Sequence, residues 1–346
     1  MIARVALAIA LATGLLATPF AAEAQQAGKV YRIGLLSTSF AQRTAGVQAF
    51  KDRLKELGYV EGRNLAIEIR DGGGRNDQLP AFAAELAKRV DLILTLGPYA
   101  IQAAKEATST TPVVFTGIGA NFALARSEGN LTGVVEELIE STAKRLAVLS
   151  EAMPGLTRVA ILANPDNYGT QAYLKECRAW AQTAGATLHV YEVRDPNDFD
   201  SAFAKMVSDR VEALIAFPDS VIFSQRDKIV QTALKNKLPG MYIYREWVSA
   251  GGLMAYGANQ TTILGGPIPM MVDKILKGAK PSDLPVEQGR LELFINLNTA
   301  RQWASRLHNR SCRARTRSLN DVARLESIRS NPLARTRSPR PVNVDV

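Results

Sequence analysis

Two cysteines and two histidines among 346 residues leave little of the side-chain chemistry on which much catalysis depends. Cys177 sits in a helical pattern and Cys312 in an Arg-rich tail, so no disulfide is expected. With His only at 189 and 308, neither a Cys/His zinc site nor a Cys-His nucleophile pair is expected in the body of the chain. Surplus charge is also scarce there. Residues 301–346 hold eleven Arg, no Lys and three acidic residues, which is +8 of the total +9, so the first 300 residues carry only +1. The body therefore offers no electrostatic case for nucleic acid. Gly72-Gly73-Gly74 is the one run of three glycines, but it lacks the Lys-Ser/Thr of a phosphate loop and fits no Gly-x-Gly-x-x-Gly frame; it reads as a strand-to-helix loop.

What the chain does have, it has twice. Val90-Asp91-Leu92-Ile93-Leu94-Thr95-Leu96-Gly97-Pro98 is an apolar run closed by turn residues and followed by a helical pattern. Val211-Glu212-Ala213-Leu214-Ile215-Ala216-Phe217-Pro218-Asp219 repeats that grammar and leads into a helical pattern from Val221 to Lys237. Each reads as a buried strand feeding a crossover helix. Each is followed by a strand that opens on proline, Thr111-Pro112-Val113-Val114-Phe115 and Leu238-Pro239-Gly240-Met241-Tyr242. Upstream, Arg32 to Thr38 matches Arg158 to Asn164 in the same way. Two similar Rossmann-like α/β lobes with parallel sheets follow, against the alternative of one large doubly wound domain. Ligands of such sheets bind beyond the carboxyl ends of the strands, where helix N-termini present unpaired N–H groups.

In chain order, Met1 to Ala24 has Arg4, an apolar core from Val5 to Phe20, and Ala22-Glu23-Ala24, the arrangement of a secretory signal peptide. No Cys follows it, which argues against a lipid anchor, and the mature protein is expected to be exported and soluble. Ser37-Thr38-Ser39 precedes a helix from Ala41 to Leu57, so its hydroxyls serve either as caps or as donors to a ligand carboxylate. Gly129 to Val134 reads as a crossing between lobes, and Ala250 to Gly257 as a return crossing. Ile263 to Lys277 is a helix that Pro267 and Pro269 should distort, and Leu291 to Leu297 a final strand and third crossing. Asp219 suits a ligand ammonium, although an Asp at a helix start is more often a cap.

At Ile33-Gly34-Leu35-Leu36-Ser37, Leu57-Gly58-Tyr59-Val60-Glu61-Gly62-Arg63-Asn64, Asn130-Leu131-Thr132-Gly133 and Gly251-Gly252-Leu253-Met254-Ala255-Tyr256-Gly257 the chain resembles a known family. It is similar there, and at Ile275 to Gly278 and Pro281 to Val286, to the periplasmic substrate-binding proteins of ABC importers that include tryptophan and tyrosine binders. The resemblance covers about residues 25–300. It implies a type I periplasmic-binding-protein-like fold, two lobes joined by three hinge crossings. It further implies capture of a small solute, delivery to a membrane permease, and no catalysis. The expected division is a signal peptide (1–24), lobe 1 (25–130 plus 250–288), lobe 2 (131–249 plus 289–300) and an irregular tail (301–346).

Carried over by position, the resemblance implies ligand contacts at Ser37, Thr38, Thr95, Gly97 and Thr116 in the first lobe. It further implies Asn164 and Asp219 in the second lobe and Tyr256 on the return crossing, with Tyr99, Tyr168 or Phe217 covering an apolar or aromatic group. An amino acid or related carboxylate is the expected solute, no cofactor or metal is expected, and the protein is expected to be a periplasmic monomer that does not bind nucleic acid. An exported enzyme on the same scaffold is the first rival reading, a nucleic-acid binder acting through the basic tail the second.

The chain departs from the family after Ala300, where relatives continue with an apolar segment and a closing helix. Read one frame over, the codons from Gln302 permit Met-Gly-Leu-Thr-Ile and, further on, Arg-Ala-Asp-Glu-Val-Ile, which resembles the missing end. A frameshift near residue 301 is the expectation, leaving a body without its closing helix and with apolar surface exposed. An uninterrupted frame on resequencing, with an intact mass that includes the tail, refutes it.

Overall fold

The computed structural model describes residues 29–38, 44–117, 129–136, 138–167 and 169–308, with side chains up to 303. The signal segment, Tyr168 and the tail beyond 308 lie outside the described residues, so the expectations placed on them have no structural counterpart here.

Two six-stranded sheets carry the fold. The first is built from β1 (Tyr31–Ser37), α1 (Thr44–Glu56), β2 (Leu65–Asp71), α2 (Leu79–Ala87), β3 (Leu92–Leu96), α3 (Pro98–Ala107), β4 (Val113–Thr116) and β5 (Leu131–Val135). The second follows with α4 (Thr142–Ala152), β6 (Arg158–Ala163), α5 (Thr170–Ala184), β7 (Thr187–Glu192), α6 (Asp198–Ser208) and β8 (Ala213–Ala216). It continues through α7 (Ser220–Ser224), α8 (Arg226–Lys235), β9 (Gly240–Tyr242), α9 (Arg245–Ser249) and β10 (Met254–Ala258). The chain then forms α10 (Gln260–Gly265), α11 (Pro267–Leu276), β11 (Glu287–Gln288), β12 (Leu291–Ile295) and α12 (Leu297–His308). Strand order is β11-β5-β4-β3-β1-β2 in one sheet and β12-β10-β9-β8-β6-β7 in the other. All described pairings are parallel except β10 with β12.

The organising runs show no polar alternation because each strand is covered on both faces. On β3, Leu92, Leu94 and Leu96 pack with Phe50, Leu54 and Ile268, while Ile93 on the opposite face packs with Leu86 and Ala104. The second sheet does the same around Ile161, Leu214, Ile215 and Met241, with Phe199 and Phe203 of α6 among the residues of its core.

Several expected boundaries move. Gly129 to Val134 is not itself the crossing: β5 pairs with β4, and the chain passes to the second sheet only at Glu136. Ala250 to Gly257 likewise stays with the second sheet as β10, and the return comes after Ala258. The last passage is at Gly289-Arg290, between β11 and β12. By strand pairing, β5 as far as Val135 and β11 belong to the first sheet, and β10, within the 250–288 expected for lobe 1, belongs to the second. The expected helix over 263–277 is two helices: Gly266 breaks it, and Pro267 then occupies the first turn of α11, where its missing N–H costs nothing. The pattern over 221–237 likewise divides at Gln225.

Two strands that lead into crossings share a constraint. A Cβ at Gly133 on β5 would lie 2.2 Å from the Phe115 carbonyl oxygen, and one at Gly257 on β10 would lie 2.2 Å from that of Ile243. Only glycine lets these strands sit so close to their neighbours.

Polar side chains hold the crossings together. At the first, Glu136 is fully buried and its Oε1 accepts from Gln260 Nε2 of the second crossing (2.5 Å) and from Thr116 Oγ1 (3.3 Å). Arg145 on α4 donates to Ser141 Oγ (2.8 Å), Thr142 Oγ1 (2.7 Å), the Leu138 carbonyl and the Tyr256 carbonyl (3.3 Å). Its guanidinium is buried, and burial pushes it down to about 10. Beside α12, Val230, Leu234, Leu238, Tyr242, Leu253 and Trp303 line a small, largely apolar pocket.

Candidate binding cleft

Parallel registry sets the carboxyl ends of the first sheet in one row. Ser37 is level with Asp71 and Leu96, and Leu96 with Thr116. Backbone bonds stitch the loops beyond: Thr38 N donates to the Leu96 carbonyl (3.2 Å), Gly97 N to that of Thr116 (3.1 Å) and Gly74 N to that of Thr38 (2.9 Å). Gly97 has φ 97°, a left-handed turn that launches α3 directly from β3.

Two hydroxyls stand out on this edge. Ser37 Oγ and Thr38 Oγ1 are buried, and neither has a hydrogen-bond partner among the described residues. Ser37 and Thr38 both lie at the carboxyl end of β1, where a ligand group would reach them. Buried hydroxyls are seldom left unpaired, since each forfeits about 1–3 kcal/mol of hydration.

The corresponding edge of the second sheet carries an amide and carboxylate cluster. Asp219 caps α7, its Oδ1 accepting from the N–H groups of Val221 (2.8 Å) and Ile222 (3.2 Å). Its Oδ2 accepts from Asn164 Nδ2 (3.3 Å) and Asn167 Nδ2 (3.0 Å). Asn164 Oδ1 in turn accepts from Asp166 N (3.0 Å), which fixes the turn after β6. Asp219 thus acts as a helix cap, and its bond from Asn164 holds the two side chains side by side. The two edges meet: a Cβ on Gly74 would stand 4.0 Å from Ser220 Cβ, with nothing else as near. The loops beyond the two rows of strand ends therefore approach one another at this point.

The structure brings Ser37, Thr38, Gly97 and Thr116 to one edge and Asn164 and Asp219 to the other. Thr116 is buried and already bonded to Glu136. Thr95 is fully buried, with its hydroxyl directed to the Val114 carbonyl (3.5 Å). Phe217 is buried against Tyr173, with ring centroids 5.2 Å apart, and Tyr256 is buried within the second core. Tyr99 is half-buried against the α2–α3 layer. The sequence reading missed Ser220, Glu136 and Gln260, while Asn167 lies in the polar turn from Asn164 to Tyr168 that it took as suited to a zwitterion. A carboxylate directly after the apolar Val134-Val135 was the one signal that could have drawn attention to Glu136. No helix in the described residues is long and apolar enough to cross a membrane.

Two mostly parallel α/β sheets with facing carboxyl edges, joined by crossings along one side, define a type I periplasmic-binding-protein-like architecture. A family model described as ABC transporter substrate binding protein matches residues 38–310, and the chain belongs to that family. Among solved structures it is similar to a conserved domain protein from Vibrio cholerae, at 21% identity and TM-score 0.72, over 80% of this chain and 95% of that one. It is also similar to an ABC domain in complex with L-Trp from Streptococcus pneumoniae, at 23% identity and TM-score 0.68, over 79% and 94%. A third is the ligand-free, open structure of a substrate binding protein with adhesive properties from Clostridium difficile, at 21% identity and TM-score 0.59, over 79% and 95%. No curated protein matches the chain significantly.

Proposed function

We propose that this chain is the exported solute receptor of an ABC importer, working in the periplasm as a monomer without binding nucleic acid, and handing a small carboxylate-bearing solute to a membrane permease. The observation that carries this reading is the pair of buried, unpartnered hydroxyls of Ser37 and Thr38 at the carboxyl edge of the first sheet. A solute carboxylate accepts from the two hydroxyls and from N–H groups at the first edge, Gly97 N being committed to Thr116. The second edge offers the carbonyl and carboxylate oxygens that suit an ammonium or hydroxyl. Thr95, Thr116, Phe217 and Tyr256 then support the two edges from buried positions.

A solute that touches both edges binds best when the gap is shut, so binding shifts the population toward the closed form by its differential affinity. Taking a mostly open protein to mostly closed needs about 5 kcal/mol of that difference. No step in this cycle makes or breaks a covalent bond.

The test is a thermal-shift screen of amino acids and small carboxylates, with native mass spectrometry of protein purified without denaturation. A solute at a hundred times its Kd stabilises by about 2.7 kcal/mol. Ser37→Ala with Thr38→Ala should abolish that shift and leave the free protein as stable as before or slightly more so, because the lost hydroxyls had no partners. Turnover of a bound metabolite, or solute shifts that survive the double substitution, would overturn the reading.

A further inference from the structure

The loop after β2 reaches the second sheet. Gly72 N bonds to the Ser37 carbonyl and Gly74 N to the Thr38 carbonyl, both at 2.9 Å, so the loop is fastened to the hydroxyl edge. Gly73 and Gly74 both have left-handed backbones, at φ 58° and 89°. They differ in what a side chain would meet: nothing within 4 Å at Gly73, and Ser220 Cβ at 4.0 Å at Gly74. Ser220 begins α7 beside the Asp219 cap and is itself buried.

The position of this contact matters. The crossings run along the β5 and β11 side of the first sheet, whereas β2 is its opposite edge. Four strand spacings separate β5 from β2, about 19 Å at roughly 4.8 Å each. A hinge rotation of only 10° would then separate the rim by about 3 Å. Gly74 and Ser220 lie near the end of the longest lever available within the described sheet.

We propose that Gly74 and Ser220 form the rim contact of the shut cleft, and that the missing side chain at position 74 sets how far the two sheets can approach. A side chain there is a wedge against the start of α7. This rests on the receptor reading only in so far as closure is coupled to a solute; the contact itself does not depend on it.

The experiment separates the two. In a Cys312→Ser background, Gly74→Cys is paired with Ser220→Cys, and Gly73→Cys with Ser220→Cys as control. Cys177 does not compete, being fully buried with its thiol pushed up to about 12 by burial. A Cβ separation of 4.0 Å lies within disulfide range, about 3.5–4.5 Å, so mild oxidation should cross-link the first pair within the monomer. It should cross-link the Gly73 pair at least tenfold more slowly. Equal rates, or no cross-link in the Gly74 pair, overturn the rim contact. Gly74→Asn and Gly73→Asn supply a second measurement, since asparagine tolerates left-handed backbone and both variants should fold alike. Solute affinity should fall at least tenfold in Gly74→Asn and stay within twofold in Gly73→Asn; equal losses overturn the wedge. A Gly74 cross-link in a protein that binds no screened solute upholds the rim geometry while counting against the receptor reading.

Discussion

Replacing Gly133 or Gly257 by alanine tests how the hinge strands are built. Each new Cβ would stand 2.2 Å from a neighbouring carbonyl oxygen, of Phe115 or of Ile243, roughly 1 Å inside ordinary contact. Both obstacles are backbone atoms, so no rotamer change relieves them. Pushing the strands apart by that amount takes ladder bonds of about 2.9 Å beyond the hydrogen-bonding range. One or two lost bonds at about 1 kcal/mol each, with an overpacking cost of about 1–3 kcal/mol, give a destabilisation of about 2–5 kcal/mol. At about 2–3 °C per kcal/mol for a chain of this size, the melting temperature should drop by about 4–15 °C. Calorimetry with urea unfolding followed by circular dichroism measures this. Gly133→Ala should lower the transition of the first unit and Gly257→Ala that of the second. Gly185→Ala is the control: its φ is 66° with nothing within 4 Å, so it should cost only the left-handed backbone penalty of about 1–2 kcal/mol. If either hinge-strand variant melts within 2 °C of the parent, the close-approach argument is wrong.

Arg145→Met should destabilise by about 2–4 kcal/mol, because it removes the charge-assisted bonds to Ser141, Thr142 and the Leu138 and Tyr256 carbonyls, partly offset by relief of a buried cation; an unchanged urea midpoint would refute this. Glu212 gives a pH dependence. Burial works to raise its carboxyl, but the N–H groups of Thr157 and Arg158, the Thr157 hydroxyl and the Arg158 guanidinium outweigh that and hold it below the usual carboxylate range. A depressed folded pKa gives stability that is present above the unfolded value and lost as pH falls through the folded one. The stability gap between the parent and Glu212→Gln should therefore be full at neutral pH and close on acidification below about pH 4; a gap that widens in acid would contradict the assignment. Cys177 should resist alkylation by neutral-pH reagents until the second sheet unfolds, as mass spectrometry after timed labelling would show.

The two-sheet plan was legible because buried parallel strands cannot hide. Leu92 to Leu96, apart from Thr95, and Ala213 to Ala216 are apolar, are closed by turn residues and feed helices, and parallel strands covered on both faces bury such runs. Asp219 was legible as a cap for a similar local reason: its carboxylate needs only the N–H groups two and three residues on. The crossings were displaced by a few residues because pairing partners are distant in sequence. Nothing within Gly129 to Val134 says that β4 will hold it, and nothing within Ala250 to Gly257 says that β9 will.

Sequence alone settled what local grammar and hydrophobic periodicity can settle: the duplicated strand-and-helix unit, the hydroxyls at the end of β1, and the poverty of catalytic groups in the body. Burial and partnership were decided by tertiary structure, which placed Thr95, Phe217 and Tyr256 in cores while leaving the Ser37 and Thr38 hydroxyls unpaired. It also joined Glu136 to Gln260 across 124 positions of chain and set Gly74 opposite Ser220. The reason is one of range: caps, turns and periodicity act over a few residues, whereas side-chain burial and the facing of two sheets depend on how whole elements pack.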